Sequence, residues 1–377
     1  MNSANNQQIY WSKVESCFYY IENFDKEKPM ISFDYDDTLC KKFTSQMLDN
    51  VKSTILNLNK SYNICIFTNQ MGISKGKTTH QEIRSRFETF IKSLYTSECT
   101  LNLQIFYSSE DDNYRKPMVG MFDLMYKLLN PSDIKYYCGD AGGRKCDFSC
   151  SDLYFANNCK IKFKTPEEVF NNETPSTSLC SKQLKSLQLY SDDKWINGRL
   201  DNLRELFKYY SPDLVDKQIK IDTDLKNLII FIGPQGCGKS TMTNYLSKKY
   251  NFGIINGDLQ KTKTNMKKMF KKYQNSEDIS GIIIDNTTPT QESRKEWINL
   301  LENKEKWHIS IIYINVDKLI SFHLTKYRQC FTGFKIPSVA IHSYYKKLEI
   351  PSQEEGNVIV IDKPIINYEY KNYFRFN

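Results

Sequence analysis

Between residues 30 and 165, short apolar runs alternate with amphipathic stretches. "MISFDY", "NICIFTN", "LQIFYS" and "IKYYCGD" are rich in β-branched and aromatic residues and too short for helices, so they read as strands. "SQMLDNVKSTILNLNK", "HQEIRSRFETFIKSLY" and "MVGMFDLMYKLL" repeat their apolar positions at helical spacing. Strand and helix taking turns predicts a parallel, doubly wound sheet. Residues 171 to about 195 are polar and rich in Ser, Thr and Asn, which predicts a linker with room for a short helix. "WINGRLDNLRELFKYY" follows as an amphipathic connecting helix. A second alternation then begins: strands at "NLIIFIG", "FGIIN", "SGIIIDNT" and "HISIIYIN", helices at "KSTMTNYLSKKY" and "TQESRKEWINLLENKEK". The expected division is a first α/β domain over 1–170, a connection over 171–222 and a second α/β domain over 223–377. No internal repeat relates the halves.

Composition narrows this picture without redirecting it. With 40% apolar and 14% aromatic residues, 377 positions can fill two cores. The net charge of +8 is compatible with polyanionic partners. Eleven cysteines include no C-x-x-C pair. Cys138, Cys146, Cys150 and Cys159 cluster in sequence, but their spacing fits no common zinc pattern, so buried free thiols are expected. The polar opening "MNSANNQQIYWSKVE" is unlike a secretory leader, and no apolar run nears the roughly 20 residues of a membrane span. The expectation is a reduced, intracellular protein.

The sharpest local pattern is "GPQGCGKST". Gly233, Gly238, Lys239 and Ser240 match G-x-x-x-x-G-K-[ST], with a strand pattern before and a helix pattern after. Glycines let backbone N–H groups turn inward around phosphates, where the helix N-terminus adds partial positive charge. With Gly236 and Thr241 these form the expected ATP-binding set, Lys239 on the β/γ-phosphates and Ser240 on Mg2+. Asp258, in "IINGDLQ", can take a proton from an attacking hydroxyl or serve as a helix N-cap. Asp285 ends "GIIID", where it can orient Mg2+ or the acceptor. Lys326 and Arg328 lie in a basic stretch that reads either as a lid over the transferring phosphoryl or as a solvated helix face. Six lysines between Lys261 and Lys272 read as a solvated face, with contact to a phosphodiester backbone as the alternative.

In the first half, "ISFDYDDTLC" crowds Asp34, Asp36, Asp37 and Thr38 at a strand end. Like charges this close disfavour ionisation, so a cation is expected among them. One carboxylate can attack phosphorus, and a second, two residues on, can protonate the leaving oxygen and then activate water. Alone, D-x-D-x-T also suits a calcium-type loop or a turn. Thr68 at the end of "NICIFT", Lys116 in "YRKP" and Asp140 in "YYCGDAGGR" complete an ordered set of nucleophile, hydroxyl, cation and second acid. That set resembles the haloacid dehalogenase superfamily of phosphatases.

The connecting words resemble a narrower group. "IFTNQMGISKGK", "YRKPMVGMFD", "CGDAGGR", "KCDFSCSDLYFA" and "TPEEVF" are similar to the phosphatase domain of the polynucleotide kinase 3′-phosphatase family. "GPQGCGKST", "IDNTTPTQESR" and "IPSVAIHSYYKKLEIPSQEEG" resemble its kinase domain. The resemblance covers roughly residues 28 to 362 and implies a haloacid dehalogenase-like 3′-phosphatase followed by a P-loop 5′-kinase. It implies Asp34 as nucleophile and Asp36 as general acid/base, with Thr68 and Lys116 on the phosphate and Arg115 and Asn69 on substrate. Mg2+ would rest on Asp34, Asp36 (through its backbone carbonyl) and Asp140 in the phosphatase, and on Ser240 in the kinase. There Asp258 would activate the 5′-hydroxyl, Asp285, Asn286 and Lys326 would bind substrate, and Arg328 would act on the phosphoryl group.

The implied cofactors are Mg2+ and ATP, and the implied partners are nucleic-acid ends, DNA before RNA, with a DNA ligase downstream. A monomer acting in DNA repair in the nucleus is expected. Three positions depart from the family: Asp37 replaces a Gly, Gly257 stands where an Arg usually precedes the kinase Asp, and Lys326 takes a place often held by Arg. The amino-terminal phosphopeptide-binding module of the animal enzymes is not expected. RNA end repair, a fused small-molecule kinase and phosphatase, and an inactive end-binding scaffold are the competing readings.

Overall fold

The computed structural model describes residues 9–95, 100–144, 147–174 and 208–366, and these form two units, one up to residue 174 and one from residue 208. The first unit opens with a hairpin that the hydrophobic pattern did not announce, Ser12–Val14 (β1) and Cys17–Ile21 (β2). The run Cys-Phe-Tyr-Tyr-Ile has strong strand-forming character, but the polar residues before it mask the signal. Strands Met30–Phe33 (β3), Asn63–Asn69 (β4), Leu103–Ser108 (β5), Ile134–Cys138 (β6) and Phe163–Lys164 (β7) complete a sheet of order β1-β2-β5-β4-β3-β6-β7. Pairing is parallel from β5 to β7 and antiparallel where β2 meets β5 and β1.

Helices cover both faces. Ile64 and Ile66 of β4 pack with Val51 and Ile55 of helix Val51–Asn59 (α1) and with Ile83, Phe87 and Phe90 of His80–Leu94 (α2). Cys65 and Phe67, pointing the other way as the two-residue period requires, pack with Met121 and Met125 of Gly120–Leu129 (α3) and Phe155 of Ser151–Asn158 (α4). The helix expected from residue 45 begins only at Val51, because Met47 and Leu48 are held by backbone pairing to Cys40 and Leu39. The connecting helix and most of the linker fall on residues 175–207, outside the described residues.

Residues 208–222, read from sequence as connection, pack into the second unit. Tyr210 pairs with Ile365, and Val215 and Ile219, in and just after helix Pro212–Asp216 (α5), are buried in its core. Among its described residues this unit has five parallel strands, Lys226–Ile232 (β8), Phe252–Ile255 (β9), Gly281–Ile284 (β10), Trp307–Ile314 (β11) and Asn357–Ile361 (β12). Their order is β12-β11-β8-β10-β9. Helix Lys239–Tyr250 (α6) covers one face; after the short Gly257–Gln260 (α7), Lys263–Gln274 (α8) and Gln291–Ile298 (α9) cover the other. Lys318–Thr332 (α10) and Ser338–Lys347 (α11) precede β12. The sequence reading missed α11 and β12, whose burial is only partial on an edge of the sheet. It also carried α9 on to residue 306, whereas the chain turns back after Asn299 to bury Leu301.

In each sheet one strand marks the point where the winding reverses. The chain leaves β3 for β4 and β5 on one side and returns to β6 on the other; β8 likewise lies between β10 and β11. Crevices at the carboxyl ends of such strands bind ligands in open α/β sheets. Among the described residues no helix is long and apolar enough to cross a membrane.

Candidate active sites

Asp34 directly follows β3, and its amide donates to the Cys138 carbonyl of β6 at 2.8 Å. Its side chain faces a buried ammonium: Lys116 Nζ is 2.7 Å from Asp34 Oδ1, 2.7 Å from Asp152 Oδ1 and 2.6 Å from the Tyr137 hydroxyl. Asp34, Asp140 and Asp152 bring carboxylate oxygens within 4.8 Å of one another. Burial, opposed by Lys116 at Asp34 and reinforced by neighbouring carboxylates, pushes Asp34 and Asp140 well above the usual carboxylate range. Burial works against the Lys116 cation, yet Asp152 and Asp34 outweigh it and raise its pKa. One ammonium among three desolvated carboxylates leaves negative charge uncompensated. That donor set of hard oxygens fits a divalent cation such as Mg2+, with Asp34 and Asp140 the ligands still open to it. Asp152 is already committed, accepting from Lys116, from Tyr137 at 2.9 Å and from the Ala141 amide at 3.0 Å.

The remaining predicted residues gather around this cluster. Thr38 Oγ1 accepts from the Asp140 amide at 3.0 Å, tying the two motif loops together. Asp37 takes the left-handed conformation, φ 57°, that the usual Gly would supply. Asp36 accepts from Gln70 Nε2 at 2.9 Å, the same nitrogen lies 3.1 Å from Thr68 Oγ1, and Arg86 forms an ion pair with Asp36. Thr68 is buried at the end of β4. Asn69 spends its amide on the Lys116 backbone, donating to the carbonyl at 3.1 Å and accepting from the amide at 2.8 Å. These contacts hold the lysine loop and leave one amide N–H of Asn69 for the substrate contact expected of it. Arg115 reaches Asp111 at 3.8 Å. Residue-by-residue reading missed Asp152, Tyr137, Gln70 and Arg86. Asp152 stands inside "KCDFSCSDLYFA", a stretch similar to the phosphatase family, and that similarity is the signal that points to it. Of the clustered cysteines, Cys138, Cys150 and Cys159 are free thiols, and Cys146 lies outside the described residues.

In the second unit the loop after β8 leads straight into α6. Gly238 has φ 97°, and a Cβ there would lie 1.9 Å from the Ile365 carbonyl oxygen. Only glycine allows that approach. Lys239 Nζ donates to the Gly233 and Pro234 carbonyls, each at 2.8 Å, which curls the loop around its own lysine. Ser240 Oγ donates to Asp285 Oδ2 at 2.8 Å, and Asn256 Nδ2 reaches the same oxygen at 2.8 Å. A hydroxyl and a carboxylate this close, beside the helix N-terminus, suit a cation carried with a nucleotide.

A cleft of about 460 Å³ opens over this loop, lined by Gly236, Gly238, Lys239, Ser240 and Thr241, by Asp258, Asp285 and Asn286, and by Arg328. Asn256, not Asp258, caps α7, accepting from the Asp258 amide at 2.7 Å. The capping alternative for Asp258 is thereby excluded, and its exposed carboxylate lines the cleft. Asn286 Oδ1 accepts from the Gly257 amide at 3.3 Å. Lys326 lies two residues before Arg328 on α10, and of the two Arg328 lines the cleft. A Cβ at Gly257 would meet Asn286 Oδ1 at 3.6 Å, an ordinary contact. In the lysine-rich α8, Met266, Phe270 and Gln274 are buried, while Lys263 and Lys267 pair with Glu296 at 2.6 and 2.8 Å.

Comparison with known proteins agrees with this division of labour. Residues 29–170 match the family described as polynucleotide kinase 3 phosphatase. A bifunctional polynucleotide phosphatase/kinase of Schizosaccharomyces pombe is 27% identical over 95% of this chain and 85% of its own. A relative in Acanthamoeba polyphaga mimivirus is 28% identical over 92% of this chain and 88% of its own. The polynucleotide 3′-phosphatase ZDP of Arabidopsis thaliana is 32% identical over 41% of this chain and 26% of its own.

Proposed function

The chain belongs to the polynucleotide kinase 3′-phosphatase family, and from that premise we propose that it repairs nucleic-acid ends at two separate sites. The first unit hydrolyses a 3′-phosphate; the second transfers the γ-phosphate of ATP to a 5′-hydroxyl. The products are the 3′-hydroxyl and 5′-phosphate that a ligase joins. The observation that carries this reading is the buried constellation of Asp34, Asp140 and Lys116 at one switch point, with a phosphate loop facing Asp258 across a cleft at the other.

In the phosphatase, Asp34 attacks phosphorus, forming an aspartyl-phosphate as the bond to the 3′-oxygen breaks. Asp36 gives that oxygen its proton, then takes one from the water that cleaves the acyl phosphate. Lys116 and Thr68 hold the phosphate oxygens, and Asp152 holds Lys116. Bound Mg2+ would supply charge neutralisation between Asp34, Asp140 and the phosphate. In the kinase, the loop amides and Lys239 bind the ATP phosphates, Asp258 takes the proton of the 5′-hydroxyl, and Arg328 stabilises charge on the transferring group.

A nicked duplex bearing 3′-phosphate and 5′-hydroxyl termini tests both halves in one tube with ATP and Mg2+. Asp34→Asn should abolish phosphate release and spare end phosphorylation; Lys239→Ala should do the reverse. Loss of both activities in either variant would refute the two-site reading. DNA as the preferred polymer, a nuclear site of action and a DNA ligase as the next enzyme belong to this proposal. Comparing matched DNA and RNA ends decides the first of them.

A further inference from the structure

Arg86 has no part in the motifs that define either site, yet its guanidinium is the cation paired with the proposed general acid. It projects from the first half of α2, whose start is pinned by a capping box between Thr79 and Glu82. Three contacts fix it: Nη2 pairs with Asp36 Oδ1, Nε donates to the Thr44 carbonyl at 3.1 Å, and the group lies 5.4 Å from the centre of the Tyr35 ring. The Tyr35 hydroxyl in turn donates to the Arg86 carbonyl at 3.4 Å. The side chain is only 14% exposed, so the geometry is held on every side.

The two oxygens of Asp36 are thereby made unequal. Oδ1 accepts from Arg86 and from the Phe43 amide at 3.1 Å, which fills it. Among the described residues Oδ2 accepts only from Gln70, at 2.9 Å, and the same Gln70 nitrogen contacts Thr68 Oγ1 at 3.1 Å. Oδ2 keeps a lone pair and is tied to a residue of the phosphate site.

We infer that Arg86 is a positioning residue of the phosphatase: by occupying Oδ1 it makes Oδ2 of Asp36 the oxygen that exchanges protons with the substrate. This rests on the proposed acid/base role of Asp36. In the first step the Oδ2 proton passes to the 3′-oxygen as its bond to phosphorus breaks and the Asp34–phosphorus bond forms. In the second, Oδ2 takes a proton from water as the water oxygen bonds to phosphorus and Asp34 is released.

The test exploits leaving groups. A sugar hydroxyl needs a proton to depart, whereas p-nitrophenolate does not. Single-turnover release is measured with the full chain on a 3′-phosphorylated oligonucleotide and on p-nitrophenyl phosphate. Arg86→Ala should slow release from the oligonucleotide on the order of tenfold or more and the nitrophenol burst less than about threefold. Arg86→Gln, two atoms shorter and uncharged, loses the ion pair with Asp36 but keeps more of the side chain's bulk than alanine; it should show the same split and serves if the alanine variant fails to fold. Equal slowing of both substrates in these variants would mean a structural role and overturn the inference. Asp36→Asn separates the two levels. If it splits the substrates and Arg86→Gln does not, only the assignment of Arg86 falls. If it does not split them, the acid role of Asp36 falls and the inference with it.

Discussion

Asp37 occupies a left-handed turn where a side chain is ordinarily unfavourable, and it offsets that with a local bond. Its Oδ1 accepts from the Lys42 amide, five residues on, at 3.0 Å, and Asp is among the residues that visit positive φ most readily. Asp37→Gly would relieve the backbone and lose the bond. Phosphatase kcat/KM should therefore stay within about threefold of the parent, since opposing terms of about 1 kcal/mol nearly cancel. Gly238 is the opposite case. Alanine there meets the Ile365 backbone oxygen at 1.9 Å and keeps a φ of 97°. A clash with backbone cannot be relieved by a rotamer, so Gly238→Ala should abolish nucleotide binding by isothermal titration while leaving phosphate release intact. Asn69 pairs with both backbone groups of Lys116, so a side chain beside the catalytic lysine also fixes the loop that carries it.

At the scale of single elements, α2 is the part on which most depends. It buries Ile83, Phe87, Phe90, Ile91 and Leu94 and delivers Arg86 beside Asp36. Its capping box joins the Thr79 side chain to the Glu82 amide and the Glu82 carboxylate to the Thr79 amide. Thr79→Ala should destabilise the first unit by about 1 kcal/mol in denaturant unfolding. The lysine-rich α8 makes its own point. Its buried side is Met266, Phe270 and Gln274, and its ion pairs to Glu296 are exposed on the lysine side. Pairs of that kind contribute little, so Glu296→Gln should shift the unfolding free energy by less than about 1 kcal/mol. The strap at residues 364–366 buries Ile365 in the core and is held by backbone bonds: the Ile365 amide donates to the Cys237 carbonyl at 2.9 Å, the Tyr210 amide to the Pro364 carbonyl at 2.9 Å and the Ile366 amide to the Tyr210 carbonyl at 3.0 Å, which braces the phosphate loop.

Across the whole molecule, each unit has its own buried charge cluster. In the second, Arg294 is fully buried and paired with Glu355 at 2.7 Å. Burial pushes the Glu355 carboxyl up, but the Arg294 hydrogen bonds and the Ser352 amide outweigh it and hold it below the usual range. A depressed native pKa contributes stability in full above the ordinary carboxylate value and loses it as pH falls through the native one. Unfolding followed by Trp297 and Trp307 fluorescence between about pH 3 and pH 7 should show stability falling on the acid side. Glu355→Gln should be less stable at neutral pH and flatter with pH. Chelation with EDTA should silence both activities, and Mg2+ should restore both, because the first site crowds three carboxylates around one ammonium and the second sets the Ser240 hydroxyl against the Asp285 carboxylate, where a cation carried with a nucleotide would rest.

The sequence by itself determined two doubly wound units, the phosphate loop and the acidic strand end. These are local facts, written in the period of apolar residues and in the few residue types a tight turn or a phosphate tolerates. Only the tertiary structure decided which neighbours serve those motifs. Asp152 on Lys116, Arg86 on one oxygen of Asp36, and Ile365 against Gly238 are partners far apart along the chain. Their types are common and their spacing carries no signal, so they become visible only when the sheet brings strand ends, helix and strap to the same few ångströms.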